Sequence, residues 1–290
     1  MTGGITVPAA STSAGAEAGV AAIRVDLGAG VRAFFTTAAG GVSPAPWAGP
    51  AGGGLNLGLN VSDDAGRVRA NRARLAAELG RAPAGPPGGD PERVPVAFAT
   101  QVHSDRVIVL GAAEREAWSA GPAGTPDTAG EGDALVTAQP GLGLGVLVAD
   151  CVPVVLADPV ARVVAVAHAG RKGTTAGVVL RALAAMEEQG AEPGQTRAAV
   201  GPAVCGRCYE VPEAMRDDVV GVVPEAFAET SWGTPALDLP AAVAGQLTAA
   251  GVTVTRVPHC TLEDDAFYSH RRATARGATT GRQAGVVALV

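Results

Sequence analysis

The chain has 290 residues, 28 acidic and 22 basic side chains, a net charge of −6 and 47% hydrophobic residues. The acidic balance argues against a general nucleic-acid binder, which needs Lys and Arg to displace counterions, and 3% aromatic content leaves little for base stacking. With only 17% charged residues the composition excludes wholesale disorder, and the length suffices to bury a substantial core.

In chain order, the opening MTGGITVPAASTSAGAEAG has neither a basic segment nor a continuous apolar run, so it does not read as a secretory signal. Residues 1–22 read as a flexible tail of small residues and 23–290 as a single domain. Segments 23–27 and 31–36 look like strands. Asp63 or Asp64 is placed to cap a helix through AGRVRANRARLAAELG, where Val68, Leu75 and Leu79 recur at helical spacing. A Pro/Gly linker over 81–95 follows. The apolar runs at 96–102, 106–110, 134–137, 144–149, 154–157 and 163–167 predict strands, and 118–131 reads as loop. Helices fit 174–189 and 238–250, and final strands fit 252–257 and 284–289. Many strands with three or four helices imply a mixed α+β arrangement of the α/β class, without regular βαβ alternation. The longest apolar stretch, GLGLGVLVADCVPVVLAD, is broken by Asp150 and Pro153, so no membrane span is expected. Four cysteines are too sparse for a disulfide scaffold, which points to a reducing, cytoplasmic setting. No signal in the sequence sets an oligomeric state.

Three polar residues adjoin these apolar runs: His103 after VAFATQV, Cys151 after LGVLVAD and His168 after VVAVA. Residues just past strand C-termini collect on one rim of a sheet, where sites form. One cysteine with two histidines suits Zn²⁺ with an open fourth position, although spacings of 48 and 17 residues match no local zinc motif. The bland alternatives are a structural histidine and a buried apolar cysteine. Immediately after His168, Gly170, Arg171, Lys172, Gly173 and Thr174 enter a helix, a natural place for an anion or else a solvated turn. Lys172 is the single lysine among 22 basic residues. Cys205 and Cys208 form C-x-x-C; a structural zinc there would want a second pair, and Cys260 is the one thiol left, so both read as structural cysteines.

Taken together, FTTAAGGVS, LNLGLNVSDD, QVHSDRV, GDALVT, ADCVPV, HAGRKG, GPAVCGRCYEV, CTLEDDAFYSHRR and TGRQAG resemble, in this order, the bacterial laccase-domain family. Its members were first described as multicopper polyphenol oxidases and are now understood as zinc-dependent purine nucleoside phosphorylases with adenosine deaminase activity. The resemblance spans residues 35–289 and implies one α/β domain of packed sheets with helices outside. It implies zinc ligands at His103, Cys151 and His168, which would also be the catalytic residues. It places Asn56 and Lys172 near the substrates, a purine nucleoside and phosphate, and Arg171 at the same helix start is a further candidate phosphate contact. Two departures stand out: Arg171–Lys172 replaces the family's Trp-Arg, losing a planar two-pronged phosphate donor, and Ala38 stands where a basic residue is usual.

Multicopper oxidation is excluded on ligand supply, because the chain has four histidines and no H-x-H pair. A single copper remains an alternative occupant of the Cys/His site. The deaminase signature H-x-E with P-C-x-x-C is absent, so deamination would use a different site plan. Two rival readings are an amidase-type hydrolase with Cys151 as nucleophile and His168 as base, for which the family resemblance implies peptidoglycan precursors as substrates, and a non-catalytic nucleoside or anion binder. Asp150 is a candidate proton donor or a carboxylate that orients a ligand. His259 and Cys260 are expected near the same rim; His270, Arg271, Arg272 and Arg282 read equally as substrate contacts or surface charges, and Glu210 as a cap or supporting carboxylate.

Overall fold

A computed structural model describes residues 19–49, 52–81, 93–120 and 125–290. Most of the expected N-terminal tail and of the 81–95 linker lie outside the described residues. The elements are β1 (Ala22–Val25), β2 (Val31–Thr36), β3 (Ala39–Ser43), α1 (Ala65–Gly80), β4 (Val96–Phe98), β5 (Val107–Leu110), α2 (Ala112–Ser119), β6 (Ala134–Thr137), β7 (Gly143–Val148) and β8 (Val152–Asp158). They continue with β9 (Val163–Ala169), α3 (Arg171–Ala176), α4 (Val178–Glu188), β10 (Arg197–Val200), α5 (Glu213–Val220), β11 (Phe227–Glu229), β12 (Pro235–Leu237), α6 (Leu239–Ala249), β13 (Thr253–Arg256), α7 (His270–Ala275) and β14 (Gln283–Leu289). The mixed α/β class holds, with seven α-helices among the described residues.

Two mixed sheets form the frame: five strands in the order β1-β2-β14-β7-β4 and six in the order β13-β10-β8-β9-β6-β5. Side chains alternate between the faces of each strand. In β8, Val155 and Ala157 face the layer between the sheets, with Val164 and Val166 of β9, Leu144 and Val146 of β7, and Val287 and Leu289 of β14. The intervening Val152, Val154 and Leu156 join Val178, Ala182 and Met186 of α4 and Val243 and Leu247 of α6 on the outer face. On the far side of the five-stranded sheet, Phe34, Val286 and Ala288 pack with Leu75 and Leu79 of α1. The layers therefore run α, β, β, α. Strands buried on both faces read as unbroken apolar runs, which is why β8, β9 and β14 were recognisable without their facing being evident. Each fully buried Val or Leu contributes about 1.5–3 kcal/mol.

Local chemistry explains the boundaries. Asp64, rather than Asp63, caps α1, accepting from Arg67 N at 2.9 Å. Asp238 caps α6 from Ala241 N at 2.8 Å. The strand expected over 96–102 stops at Phe98, because the side-chain amide of Gln101 takes over the pairing: its Nε2 donates to Leu147 O at 2.7 Å and its Oε1 accepts from Leu147 N at 2.8 Å. The helix expected from Thr174 starts at Arg171 and is interrupted at Gly177, a single residue in the left-handed conformation, φ 78°, between α3 and α4. The segment expected as loop at 118–131 begins inside α2, where Trp118 is buried against the inter-sheet layer. The short elements β3, α2, β10, α5, β11, β12 and α7 went unanticipated, having too few residues to set up a period.

Candidate metal centre

The pairing of β9 with its two neighbours builds the site. β8 and β6 both run antiparallel to β9, with Val152 opposite Ala169, Pro153 opposite His168 and Ala134 opposite Ala167. The C-terminal end of β9 therefore lies beside the N-terminal ends of β8 and β6. His168 is the penultimate residue of β9, while Cys151 immediately precedes β8 and Asp133 immediately precedes β6. Cys151 also lies just past the C-terminal end of β7, so it sits in the turn between β7 and β8. His103 arrives from the other sheet, in the turn after β4. The ligand atoms of His103, Cys151 and His168 lie within 4.8 Å of one another and could hold a metal ion. Cys151 Sγ is 3.7 Å from His103 Nε2, and the two imidazoles meet edge to face with centroids 4.7 Å apart. His103 is exposed, Cys151 half-buried and His168 buried.

Two of the turns that deliver these residues carry backbone conformations rare for non-glycine residues: φ is 61° at His103 and 88° at Asp150. Such geometry persists only where surrounding contacts over-determine it. At Asp150 they do: Oδ1 accepts from Thr261 Oγ1 and Oδ2 from Arg271 N, each at 2.7 Å. At His103 the determinant is Asp133, which is 2% exposed. Its Oδ1 accepts from His103 N at 3.0 Å, and its Oδ2 from Val102 N at 3.2 Å, Ser104 N at 2.6 Å and Ser104 Oγ at 2.7 Å. Oδ1 also receives His168 Nδ1–H at 2.8 Å, which fixes the tautomer and leaves Nε2 free to ligate. Gly170 completes the packing, since a Cβ there would come 2.6 Å from His103 Cδ2 and 3.1 Å from Cys151 Sγ.

The cluster favours separated charge. Burial pushes the Cys151 thiol up, but His168 and the hydrogen bond from His103 outweigh it and bring the group down to about 6. Burial alone would depress His168; the Cys151 thiolate and Asp133 raise it to about 9. Asp133, opposed by burial, is held well below the usual carboxylate range by His168 and Ser104. A thiolate beside imidazoles, with a carboxylate behind one of them, is the donor pattern of a transition-metal centre.

Residues 32–290 match the family described as multi-copper polyphenol oxidoreductase laccase. The chain belongs to this family. A purine nucleoside phosphorylase of Streptomyces griseus is 49% identical over 256 residues, covering 88% of this chain and 93% of the relative. An adenosine deaminase from an unknown prokaryotic organism is 36% identical over 242 residues, covering 79% and 84%. Among solved structures, the hypothetical protein YfiH of Bacillus licheniformis superposes with a TM-score of 0.73 at 31% identity, covering 90% of this chain and 93% of the other. The family's name refers to copper chemistry, yet among the described residues only His103, Cys151 and His168 unite two histidines with a thiol.

Arg171, half-buried, and Lys172, exposed, open α3 directly beyond Gly170. Asn56 is buried and its amide is fully used: Nδ2 donates to Gly58 O and Asp63 Oδ2, and Oδ1 accepts from Gly58 N and Arg282 N. Asn56 thus reaches the centre through Arg282, which burial makes easier to deprotonate while the charges of Cys151 and Asp150 oppose that. Arg271 lies over the Tyr209 ring at 4.7 Å and donates to Glu210 O at 2.9 Å. Tyr209 titrates higher than usual through burial and the nearby Cys151, with Arg271 and Arg171 partly offsetting them. Arg272 turns inward and donates to the carbonyls of Thr261, Leu262 and Phe267, so it braces the loop before α7. His259 pairs with Asp264 at 3.2 Å, His270 is exposed at the start of α7, and Glu210 accepts from Trp232 Nε1 at 3.0 Å. Ala38 is buried, its carbonyl accepting from Leu55 N. Asp133, in the GDALVT motif, was not singled out from the sequence as a site residue; a carboxylate one residue before an apolar strand looks like an ordinary turn until the strand pairing brings it under His168. A cavity of about 600 Å³ lined by Arg32, Arg69, Arg72, Arg93 and Arg115 opens at the opposite end of the five-stranded sheet, beside Val96 and Leu289.

Proposed function

We propose that the protein is a zinc-dependent purine nucleoside phosphorylase, taking adenosine, inosine or guanosine with phosphate to the free base and ribose 1-phosphate. The observation that carries this reading is the convergence of His103, Cys151 and His168, oriented by Asp133, in a chain 49% identical to a relative named for that activity. One thiolate and two imidazoles suit Zn²⁺, and three protein ligands leave a fourth position that the exposed His103 side opens to solvent. Copper is the competing occupant, since it binds such donors more tightly than zinc. Bound here, zinc supplies a Lewis acid that polarises a substrate group.

The chain's own residues account for the rest. Asp133 holds His168 in the ligating tautomer, and the two imidazoles keep Cys151 ionised. Arg171 and Lys172, with Arg271 and Arg282 near Cys151 and Tyr209, give the site a positive border suited to phosphate, and Asn56 positions Arg282. A phosphate oxygen bonds to C1′ of the ribose as the bond from C1′ to the purine breaks; its electron pair leaves with the base, which takes up a proton. Positive charge develops on the sugar, so phosphate held against it stabilises the transition state. The thiolate requires a reducing compartment, consistent with a cytoplasmic enzyme. Water replacing phosphate, with attack on the purine ring of adenosine, is a second reading supported by the relative named adenosine deaminase.

The test is purified, metal-analysed protein incubated with inosine or adenosine, with and without phosphate. Phosphate-dependent release of base together with ribose 1-phosphate is expected. Base release indifferent to phosphate would replace phosphorolysis with hydrolysis. No release, or full activity in metal-free protein, would overturn the reading in favour of a binder or a cysteine amidase.

A further inference from the structure

Cys205 and Cys208, read from the sequence as structural cysteines, and Cys260, expected near the rim of the first site, come together. Their sulfurs and a carboxylate oxygen of Glu263 all lie within 4.8 Å of one another, and no disulfide joins the cysteines. The two halves meet because Ala203 bridges Cys260 in parallel, with Ala203 N donating to His259 O at 3.2 Å and Thr261 N donating to Ala203 O at 3.0 Å. Cys205 and Cys208 sit on a tight turn in which Cys208 N and Tyr209 N both donate to Cys205 O. Across it, Cys205 N donates to Cys260 Sγ at 3.4 Å, and the backbone N–H groups of Leu262 and Glu263 are directed at the same sulfur.

We propose that this cluster is a second metal site, a structural one for Zn²⁺ or a similarly soft divalent ion, ligated by the thiolates of Cys205, Cys208 and Cys260 and the carboxylate of Glu263. A structural zinc site takes four ligands in a tetrahedron with Zn–S of about 2.3 Å, which separates ligand sulfurs by roughly 3.8 Å. The observed spread needs only a small contraction to reach that arrangement. Binding displaces the thiol protons to solvent. Arg207, exposed between the two C-x-x-C cysteines and 3.4 Å from Glu263 Oε2, offsets part of the negative charge that four anionic ligands would leave. The ion would tie the turn at 205–208 to the segment at 260–263. Those two stretches also buttress the first centre: Val204 N donates to Asp150 O at 3.0 Å, and Thr261 Oγ1 holds the Asp150 carboxylate next to Cys151. The second ion therefore supports the turn that presents Cys151 and takes no part in chemistry itself.

The experiment is metal content per chain, by mass spectrometry, of protein purified with zinc present. Two equivalents are expected in the unmodified chain, one in His103→Ala, and one or fewer in Cys208→Ser or Cys260→Ser. Loss from the cysteine variants alone would uphold this site even if the His103 centre held nothing. A single equivalent that disappears in His103→Ala and survives in Cys208→Ser would overturn the proposal. A readout on the unmodified chain covers variants that fail to fold: alkylation mapped by peptide mass spectrometry, with and without a strong chelator. Protection of Cys205, Cys208 and Cys260 that chelation removes is expected. Equal labelling in both conditions, or a Cys205–Cys208 disulfide in freshly purified protein, refutes the site.

Discussion

Replacing Asp133 by Asn isolates the element on which the geometry of the first centre rests. The exchange keeps size and shape but converts one carboxylate oxygen into an NH₂ donor. Oδ2 faces three donors, Val102 N, Ser104 N and Ser104 Oγ, whereas Oδ1 faces His103 N and His168 Nδ1. The Asn oxygen accordingly settles at the Oδ2 position, and its NH₂ points at His168. To pair with it, His168 Nδ1 must become the acceptor, which moves the ring proton to Nε2, the nitrogen needed as ligand. Loss of such a supporting carboxylate lowers metal affinity about 10–100-fold, or about 1.4–2.8 kcal/mol at 1.4 kcal/mol per tenfold. The backbone N–H of His103, now opposite a donor, costs folding stability about 1–3 kcal/mol more. Competitive titration against a chromophoric chelator measures the affinity, and denaturant unfolding of the metal-free forms measures stability separately. Metal affinity within twofold of the unmodified chain would refute the tautomer argument. A drop in stability with affinity intact would leave Asp133 as a brace for the 102–104 turn only.

Three further outcomes follow from the same geometry. Gly170→Ala, at a backbone φ of −77° that alanine tolerates, places a methyl group 2.6 Å from the His103 ring; the overpacking costs about 1–3 kcal/mol, and metal titration should show weakened binding with the fold retained by circular dichroism. In metal-free protein the Cys151 thiolate fraction rises with pH and is half-maximal at about 6, against 9.0 for an ordinary cysteine, so iodoacetamide labelling of Cys151 should plateau above neutrality; half-maximal labelling near 9 would remove the case for the imidazole–thiolate arrangement. Lys172→Ala removes an exposed charge, worth about 0.2–1 kcal/mol and screened by salt, so the phosphate KM should rise up to about fivefold at low ionic strength with metal content unchanged. No change in KM would show that phosphate sits away from the start of α3.

The sequence by itself determined the ingredients whose chemistry is local or compositional. The α1 helix was legible end to end, because Val68, Leu75 and Leu79 repeat at helical spacing behind an Asp cap. The strands β6, β8, β9 and β14 were visible because burial on both faces leaves unbroken apolar runs. His103, Cys151 and His168 stood out because polar residues adjoining such runs are conspicuous, and too few histidines excluded a copper cluster outright.

Only the tertiary structure decided how these parts meet. Gln101 ends its own strand by pairing through its side chain, a choice that depends on Leu147, 46 residues away. The three-residue cluster forms because β6 and β8 both run antiparallel to β9, and strand direction leaves no local trace in sequence. The same pairing carries Asp133 beneath His168, and Asn56 bonds through its amide to Gly58, Asp63 and Arg282. Cys260 joins Cys205 and Cys208 through a single parallel bridge between distant loops. Contacts between residues far apart in the chain arise from burying the layers against one another, a property of the whole fold that no window of sequence contains.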